Sequence, residues 1–313
     1  MARAVSVTES PGENFGHAIV WPRSHLGKDF TIWCLATGAL ALREGGTLWC
    51  AVRKAKGAQS LTDEIGQMMG EVDVIGRSKG YRLLRARRGL RFDQARARAH
   101  VDAHYVIDDE ALLEISLWSA PGVFSRKELD AGTRMLIEHA NRLTWAPSVV
   151  VDLGCGVGPL SLWAARRWSH GRVLGVDSNL RAVALARKNA QRYGLNERVT
   201  IMVGDGMPPR SNPAVAHLAG HVELALVNPP THADPHTLGR LIRELREWMA
   251  PTKRSVVLMV VSRAGRMMEL LTRAGAEIQT YVHPHYTILE ARWKEPERSM
   301  PLDSLSSSTD SPV

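Results

Sequence analysis

Ten residues, Val149 to Gly158 (VVVDLGCGVG), constrain the fold of this chain more than any other stretch. The unbroken β-branched run before Asp152 has the character of a strand buried on both faces, which is how parallel strands read. Glycines follow at 154, 156 and 158, and a helical segment opens at Pro159. Strand, side-chain-free turn and helix start together make a unit with room for a ligand where backbone N–H groups lie exposed. The spacing narrows the ligand. A dinucleotide turn, G-x-G-x-x-G, requires glycine at 159, and this chain has Pro159 there. The pattern is instead D-x-G-x-G-x-G, with Asp152 inside the turn. A carboxylate at that place suits a cationic ligand group and repels a pyrophosphate.

This turn resembles the nucleoside-binding turn of class I S-adenosylmethionine (SAM) methyltransferases, and the downstream residues are spaced to match. After a helix over 159–168, RVLGVD (172–177) reads as a strand ending in Asp177, nineteen residues past Gly158. One carboxylate there can accept from two ribose hydroxyls. A helix over 178–193 leads to the strand VTIMVGDG (199–206), where Asp205-Gly206 places an acid to accept from an adenine amino group. VELALVNPP (222–230) is a fourth strand running into Asn228-Pro229-Pro230. A helix over 235–250, a strand over 254–261, a helix over 263–274 and strands near 277–283 and 286–293 complete an alternating α/β pattern. Methyl transfer to an exocyclic amine is an in-line displacement that needs orientation more than acid–base power. The Asn228 side-chain carbonyl and the Pro229 backbone carbonyl are two acceptors able to grip the two amine hydrogens, and the Pro-Pro sequence stiffens the second. An aromatic that stacks on a flipped base usually follows such a site. Thr231 stands there instead, so either His232, Phe124 or a tryptophan supplies the platform, or the enzyme is impaired or has a different target.

The first third has a different character. The net charge of +8 points to a polyanionic partner. Residues 21–100 hold fifteen Lys and Arg against seven Asp and Glu, which accounts for the whole excess and leaves the remainder neutral. AIVWP (18–22), TLWCAV (47–52), VDVIG (72–76) and YRLLRA (81–86) read as strands, and 28–42 and 58–69 as helices, which implies a small α/β unit with a parallel sheet. From Tyr81 to His100 every base but the terminal histidine is arginine. Arg85, Arg87 and Arg88 are then either a solvated face or a phosphate-contacting surface, for which guanidinium forks are suited. Residues 92–102 are expected to link the halves, 103–118 to form a hairpin about Asp108-Asp109-Glu110, and a helix to begin near Lys127. No run approaches the ~20 apolar residues of a membrane span. The three cysteines lack metal-ligand spacing. A reducing cytoplasm without a metal or membrane partner is the simplest expectation.

Taken together, APGVFSRKELDAGTRML (120–136), VVDLGCGVG (150–158), GVDSN (175–179), GDG (204–206) and NPPTH (228–232) resemble the bacterial ribosomal RNA guanine-N2-methyltransferases. The likeness is close over the C-terminal two thirds and faint over 18–25 and 45–60. It implies a Rossmann-like seven-stranded class I methyltransferase fold over 103–295, preceded by a basic, degenerate methyltransferase-like α/β domain over 17–102 that engages RNA. Residues 1–16 and the Ser- and Pro-rich 296–313 are expected to be poorly ordered. The resemblance further implies SAM as cofactor, ribosomal RNA or a ribosomal subunit as partner, and methylation of a guanine exocyclic amine. Phe124, Ser125, Asp130 and Thr133 would line the cofactor or base pocket, and Pro230, Thr231 and His232 the substrate side. Thr231 departs from the family's aromatic, no glycine follows His232 closely, and the N-terminal part is short. A protein-glutamine or DNA-adenine methyltransferase, a non-catalytic RNA-binding protein that keeps the fold, and a small-molecule methyltransferase stay open as alternatives.

Overall fold

The computed structural model describes residues 15–22, 26–229 and 233–293. The N-terminal part consists of β1 (Phe15–Val20), α1 (Lys28–Ala41), β2 (Leu42–Arg53), α2 (Ala58–Met69), β3 (Val72–Ser78), β4 (Tyr81–Arg87) and α3 (Gln94–Val101). Its sheet has the order β1-β2-β4-β3. Only β1 and β2 run parallel; β4 is antiparallel to both β2 and β3. The expectation of a parallel sheet is corrected here, and the cause is local. β3 and β4 are joined through Lys79 and Gly80, both at positive φ (46° and 78°), which is hairpin geometry and leaves no helix to make a crossover.

The alternation along the strands sorts this sheet into two unlike faces. Val20, Leu48, Cys50, Val52, Leu84 and Ala86 pack with Leu35, Ala39, Leu61, Ile65 and Ala97 from the three helices, so all the helices cover one side. The expected link over 92–102 is also corrected. It contains α3, whose N-cap Asp93 accepts from the Arg96 N–H, and Ala97 is fully buried against the core.

A hairpin follows, β5 (Tyr105–Ile107) with β6 (Leu117–Ser119), bridged by a 3-10 turn over Glu110–Leu112. Next come α4 (Ala131–Ala140), β7 (Val149–Leu153), α5 (Pro159–Arg167), β8 (Arg172–Asp177), α6 (Leu180–Arg192), β9 (Val199–Val203) and β10 (Leu224–Val227). The chain then completes the sheet with α7 (Pro235–Trp248), β11 (Val256–Val261), α8 (Ala264–Arg273), β12 (Ala276–Val282) and β13 (Thr287–Trp293). Helix α4 starts later than Lys127 because the carboxylate of Asp130 accepts from the Thr133 N–H and fixes the cap there.

The seven-stranded order is β12-β13-β11-β10-β7-β8-β9, with β13 antiparallel to its neighbours. One side is covered by α4, α5 and α6, the other by α7 and α8. The chain moves outward from β7 to β9 and then returns to β10 on the opposite side of β7. Open α/β sheets bind ligands outside the carboxyl ends of the strands at such a reversal.

Candidate functional site

Each of the two strands flanking the reversal has a polar residue within or just past its carboxyl end, Asp152 in β7 and Asn228 after β10, and alternation sends both to the same side of the sheet. Val150 of β7 faces the α4–α6 core while Val149, Val151 and Leu153 face α7 and α8, so Asp152 follows Val150. On β10, Leu224 and Leu226 face the α4–α6 core, and Asn228 keeps their parity. Asp152 and Asn228 therefore border one cleft. Its walls are the glycine turn (Gly154, Gly156), the segment Phe124, Ser125, Glu128 and Leu129, the start of α4 (Asp130, Thr133), and apolar side chains from Ile107 and Leu160.

Asp152 is 1 % exposed. Its Oδ2 accepts from Ser161 Oγ of α5 at 2.6 Å, and Oδ1 has no partner among the described residues. Burial pushes its carboxyl up to about 7, against the pull of the Ser161 hydrogen bond. The glycines bend the chain at φ values that side chains rarely adopt, 85° at 154, 53° at 156 and 94° at 158. A Cβ on Gly156 would meet nothing within 4 Å, so this residue faces open cleft, whereas one on Gly158 would sit 2.8 Å from Leu162 of α5. The donors of the turn are mostly spent inside the protein, contrary to the exposed N–H groups expected from the sequence. Gly154 and Cys155 N–H donate to the Val176 carbonyl, and Gly158 N–H to that of Cys155. The turn offers space rather than donors.

Asp177, at the end of β8, accepts from Gly156 N–H at 2.8 Å through one oxygen and from Asn179 N–H at 2.7 Å through the other. Each oxygen keeps acceptor capacity, since a carboxylate has about four lone-pair sites. Asp177 thus locks the glycine turn and is still able to receive hydroxyl groups. Asn179 caps α6 and donates through Nδ2 to the Gly122 carbonyl at 2.9 Å, tying the Phe124 segment to the sheet. Asp205 lies elsewhere. Its side chain is 84 % exposed and paired with Arg240 of α7 at 3.1 Å. At Gly206, φ is 139°, and a Cβ would fall 2.2 Å from Glu244 Oε2, which accepts from the Met207 N–H. The turn is clamped from α7 by Arg240 and Glu244, two residues that sequence spacing gave no reason to connect with it.

Asn228 shows the tightest geometry. Its Nδ2 donates to Asp130 Oδ2 at 2.8 Å and to Thr133 Oγ1 at 3.0 Å. An ionised carboxylate only accepts, so the amide NH2 must face Asp130, and the Asn228 carbonyl is left on the opposite edge. Asp130 and Thr133 do line the cleft, and they also set the amide's orientation, a connection across 98 residues that no local motif reveals. Pro229 follows, partly exposed. Pro230, Thr231 and His232 lie outside the described residues. Phe124 is 67 % exposed at the cleft's rim.

The rim is held from the N-terminal part. Arg126 and Tyr105 both donate to the Asp29 carboxylate of α1, Tyr105 at 2.8 Å. Burial raises the Asp29 carboxyl, but the hydrogen bonds from Tyr105 and Arg126 outweigh it and hold the group below its ordinary value. The Phe30 ring lies where a Cβ on Gly122 would be, 2.3 Å away, and the Arg181 guanidinium lies 4.1 Å over the Trp33 ring.

Of the three arginines singled out in the basic stretch, Arg85 and Arg87 are on the helix-free face of the four-stranded sheet. Arg88 is corrected out of the phosphate-contacting set. It is 8 % exposed, donates to the carbonyls of Leu40 and Leu42 at the end of α1, and lies 4.4 Å over the Phe92 ring. Leu84, Ala86 and Arg88 share the inward parity, which is the physical reason. Among the described residues no group of three or more His, Cys, Asp or Glu side chains is arranged to hold a metal, and no helix is long and apolar enough to cross a membrane.

Comparison with known proteins agrees with this geometry. The family model "Methyltransferase small domain" matches residues 114–289, more than half of the chain. The chain is 33 % identical over 180 residues to the ribosomal RNA small subunit methyltransferase C of Alcanivorax borkumensis, covering 56 % of this chain and 49 % of that protein. It is 29 % identical over 194 residues to the ribosomal RNA large subunit methyltransferase G of Magnetococcus marinus, covering 62 % and 48 %. The chain thus spans about half the length of the curated relatives it matches. Among solved structures, the 16S rRNA N2 G1207 methyltransferase (RsmC) of T. thermophilus, in complex with AdoMet and guanosine, superposes with a TM-score of 0.72. That match has 21 % identity and covers 92 % of this chain and 76 % of that one, so the likeness is one of fold. With an Asp-Gly turn at the reversal of a seven-stranded sheet and a family match across it, the chain belongs to the methyltransferase small domain family.

Proposed function

We propose that this protein is a SAM-dependent methyltransferase that modifies the exocyclic N2 amine of a guanine in ribosomal RNA, working in the cytoplasm. The single observation that carries the reading is the Asn228 amide, pinned through its NH2 by Asp130 and Thr133 at the edge of the glycine-turn cleft. This arrangement presents a fixed acceptor rather than an acid or a nucleophile. Asn228 Oδ1 and the Pro229 carbonyl would hold the two amine hydrogens, turning the nitrogen lone pair toward the cleft.

The residues fit the cofactor. Gly156 opens onto empty space, Asp152 Oδ1 is an orphaned buried acceptor that suits a cationic group, and Asp177 has capacity for ribose hydroxyls. When bound, SAM supplies an electrophilic methyl group on sulfur. Gly154, Gly156 and Gly158 would give it room, with Phe124 at the open side and Thr133 on the buried wall. Asp205 and Gly206 would take part only at the adenine end, where Asp205 keeps acceptor capacity beside its Oδ2 pairing with Arg240. Pro230, Thr231 and His232 are assigned to the substrate side on position in the sequence. The N-terminal sheet, with Arg85 and Arg87 exposed, is the part assigned to engage ribosomal RNA. The small- and large-subunit rRNA methyltransferases among its relatives support this choice over protein or DNA substrates.

The test is incorporation of tritiated methyl from SAM into ribosomal subunits, release factors and DNA, each offered separately. Label is expected in ribosomal RNA only. Asn228→Ala is expected to lower turnover by about 10²–10³-fold, the usual cost of removing a preorganised polar group at a reacting centre, with SAM affinity by calorimetry nearly intact. Label in protein or DNA, or no SAM binding, would overturn the reading.

A further inference from the structure

The helix-free face of the four-stranded sheet is unusual for its exposed aromatic and apolar content. Register sets its rows. His17, Thr47 and Arg87 lie side by side, then Ile19, Trp49 and Arg85, then Ala51 and Leu83, then Arg53 and Tyr81. Trp21, just beyond β1, brings its ring 5.8 Å from that of Tyr81, and the Arg53 guanidinium lies 5.8 Å from the Tyr81 ring centre. Ile19 is 80 % exposed and Trp21 66 %. Leu83 adds further exposed apolar surface to the same face. Monomeric proteins seldom leave such a patch without a use.

We infer that this face is a docking surface for unpaired RNA, with Trp21, Trp49 and Tyr81 as stacking platforms for bases and Arg53, Arg85 and Arg87 as phosphate contacts. The inference rests on the proposal that the substrate is RNA and deepens it by naming the surface and the strandedness. Charge favours RNA over a protein occupant. The stretch 21–100 carries the whole net charge of the chain, and arginines border the aromatic strip on both sides. Arg85 is partly neutralised by Asp73 at 2.7 Å, so Arg53 and Arg87 carry more of the attraction. Geometry favours unpaired over duplex RNA. Aromatic rings on an open sheet stack on bases only when the bases are not already stacked inside a helix. Helix α1 lies on the opposite side of this sheet and carries Asp29, Phe30 and Trp33 toward the methyltransferase part. The surface therefore anchors RNA away from the cleft instead of forming part of it.

The experiment uses the full chain and fluorescently labelled RNA of about twelve nucleotides, single-stranded and duplex, followed by anisotropy across a salt series. The wild type is expected to bind the single strand more tightly than the duplex. Trp49→Ala and Trp21→Ala should each weaken single-strand binding by roughly 5- to 100-fold, the range for losing one stacked base. Arg53→Gln should lower the slope of log affinity against log salt by about 0.7. SAM affinity by calorimetry and the melting temperature serve as controls on folding, and Trp21, being largely exposed, is the variant least able to disturb the core. RNA binding that survives both tryptophan variants overturns this inference alone, as does equal affinity for duplex, or a wild-type dimer in sedimentation that Trp21→Ala dissociates. Failure of the wild type to bind either RNA overturns the RNA reading itself.

Discussion

Asp130 serves two structures at once, and replacing it with serine separates them. Its carboxylate caps α4 by accepting from Thr133 N–H at 2.9 Å, and the same oxygen holds the Asn228 amide at 2.8 Å. Serine is as good an N-cap as aspartate, so Asp130→Ser should keep the helix and leave the melting temperature within a few degrees of wild type. Serine is too short to reach Asn228, and it has no charge. The lost interaction is a hydrogen bond to an ionised acceptor, worth about 1.5–3 kcal/mol. If the bond acts by fixing the amide in the reacting arrangement, that energy appears in kcat as roughly a ten- to hundredfold loss. Thr133→Val removes only a neutral partner and should cost about two- to tenfold. The assay is steady-state methyl transfer to RNA, with SAM affinity measured separately. A folded Asp130→Ser protein with kcat within about twofold of wild type would refute the orientation reasoning.

Two further outcomes follow from the site. Asp152 has its carboxyl at about 7 in the fold against about 3.9 in an unfolded chain, so the native state holds this proton more tightly. Its contribution to stability is full below pH ~4, falls as the pH rises to about 7, and is flat above. Asp152→Asn should therefore gain on wild type by up to roughly 4 kcal/mol above pH 7 in the absence of SAM and not at pH 4; urea midpoints over that range check it, and a difference independent of pH would contradict it. Asp29→Asn should loosen the rim by weakening the Arg126 contact, at a cost of about 1 kcal/mol for a partly exposed pair. Faster tryptic cleavage after Arg126 or Lys127, with roughly fivefold lower kcat/KM for RNA, is the expected result, and unchanged cleavage would count against it.

What was legible in the sequence depended on how local its cause was. The glycine turn and the strand ending at Asp177 follow from neighbours in the chain, and the structure has them where spacing puts them; β10 stops at Val227, short of the expected 230, and α6 starts at Leu180, two residues after the expected 178, with Asn179 as its cap. The pairing of Asp205 with Arg240 is not legible locally, because Arg240 is 35 residues away on a helix whose face no pattern near Asp205 specifies. The Asn228–Asp130 bond was invisible for the same reason. Arg88 is the instructive case, because its signal was present. A strict alternation through Leu84 and Ala86 puts it inward, while Arg85 and Arg87 point out, so residue type alone misled where parity would have sufficed. Asp93 three residues before Arg96 likewise marked a helix start inside a stretch that composition made look like a connector.

Helix α1 belongs to two bodies. Leu35, Ala36 and Ala39 are fully buried in the core beneath the four-stranded sheet, while Asp29, Phe30 and Trp33 near its start make the contacts with Arg126, Gly122 and Arg181. A helix that both parts need ties their melting together. The four-stranded sheet cannot lose its covering without α1 being disturbed, and the loss is then felt at Gly122, two residues from Phe124. The two sheets should accordingly behave as one cooperative block, in which the basic part acts as scaffolding for the glycine-turn cleft.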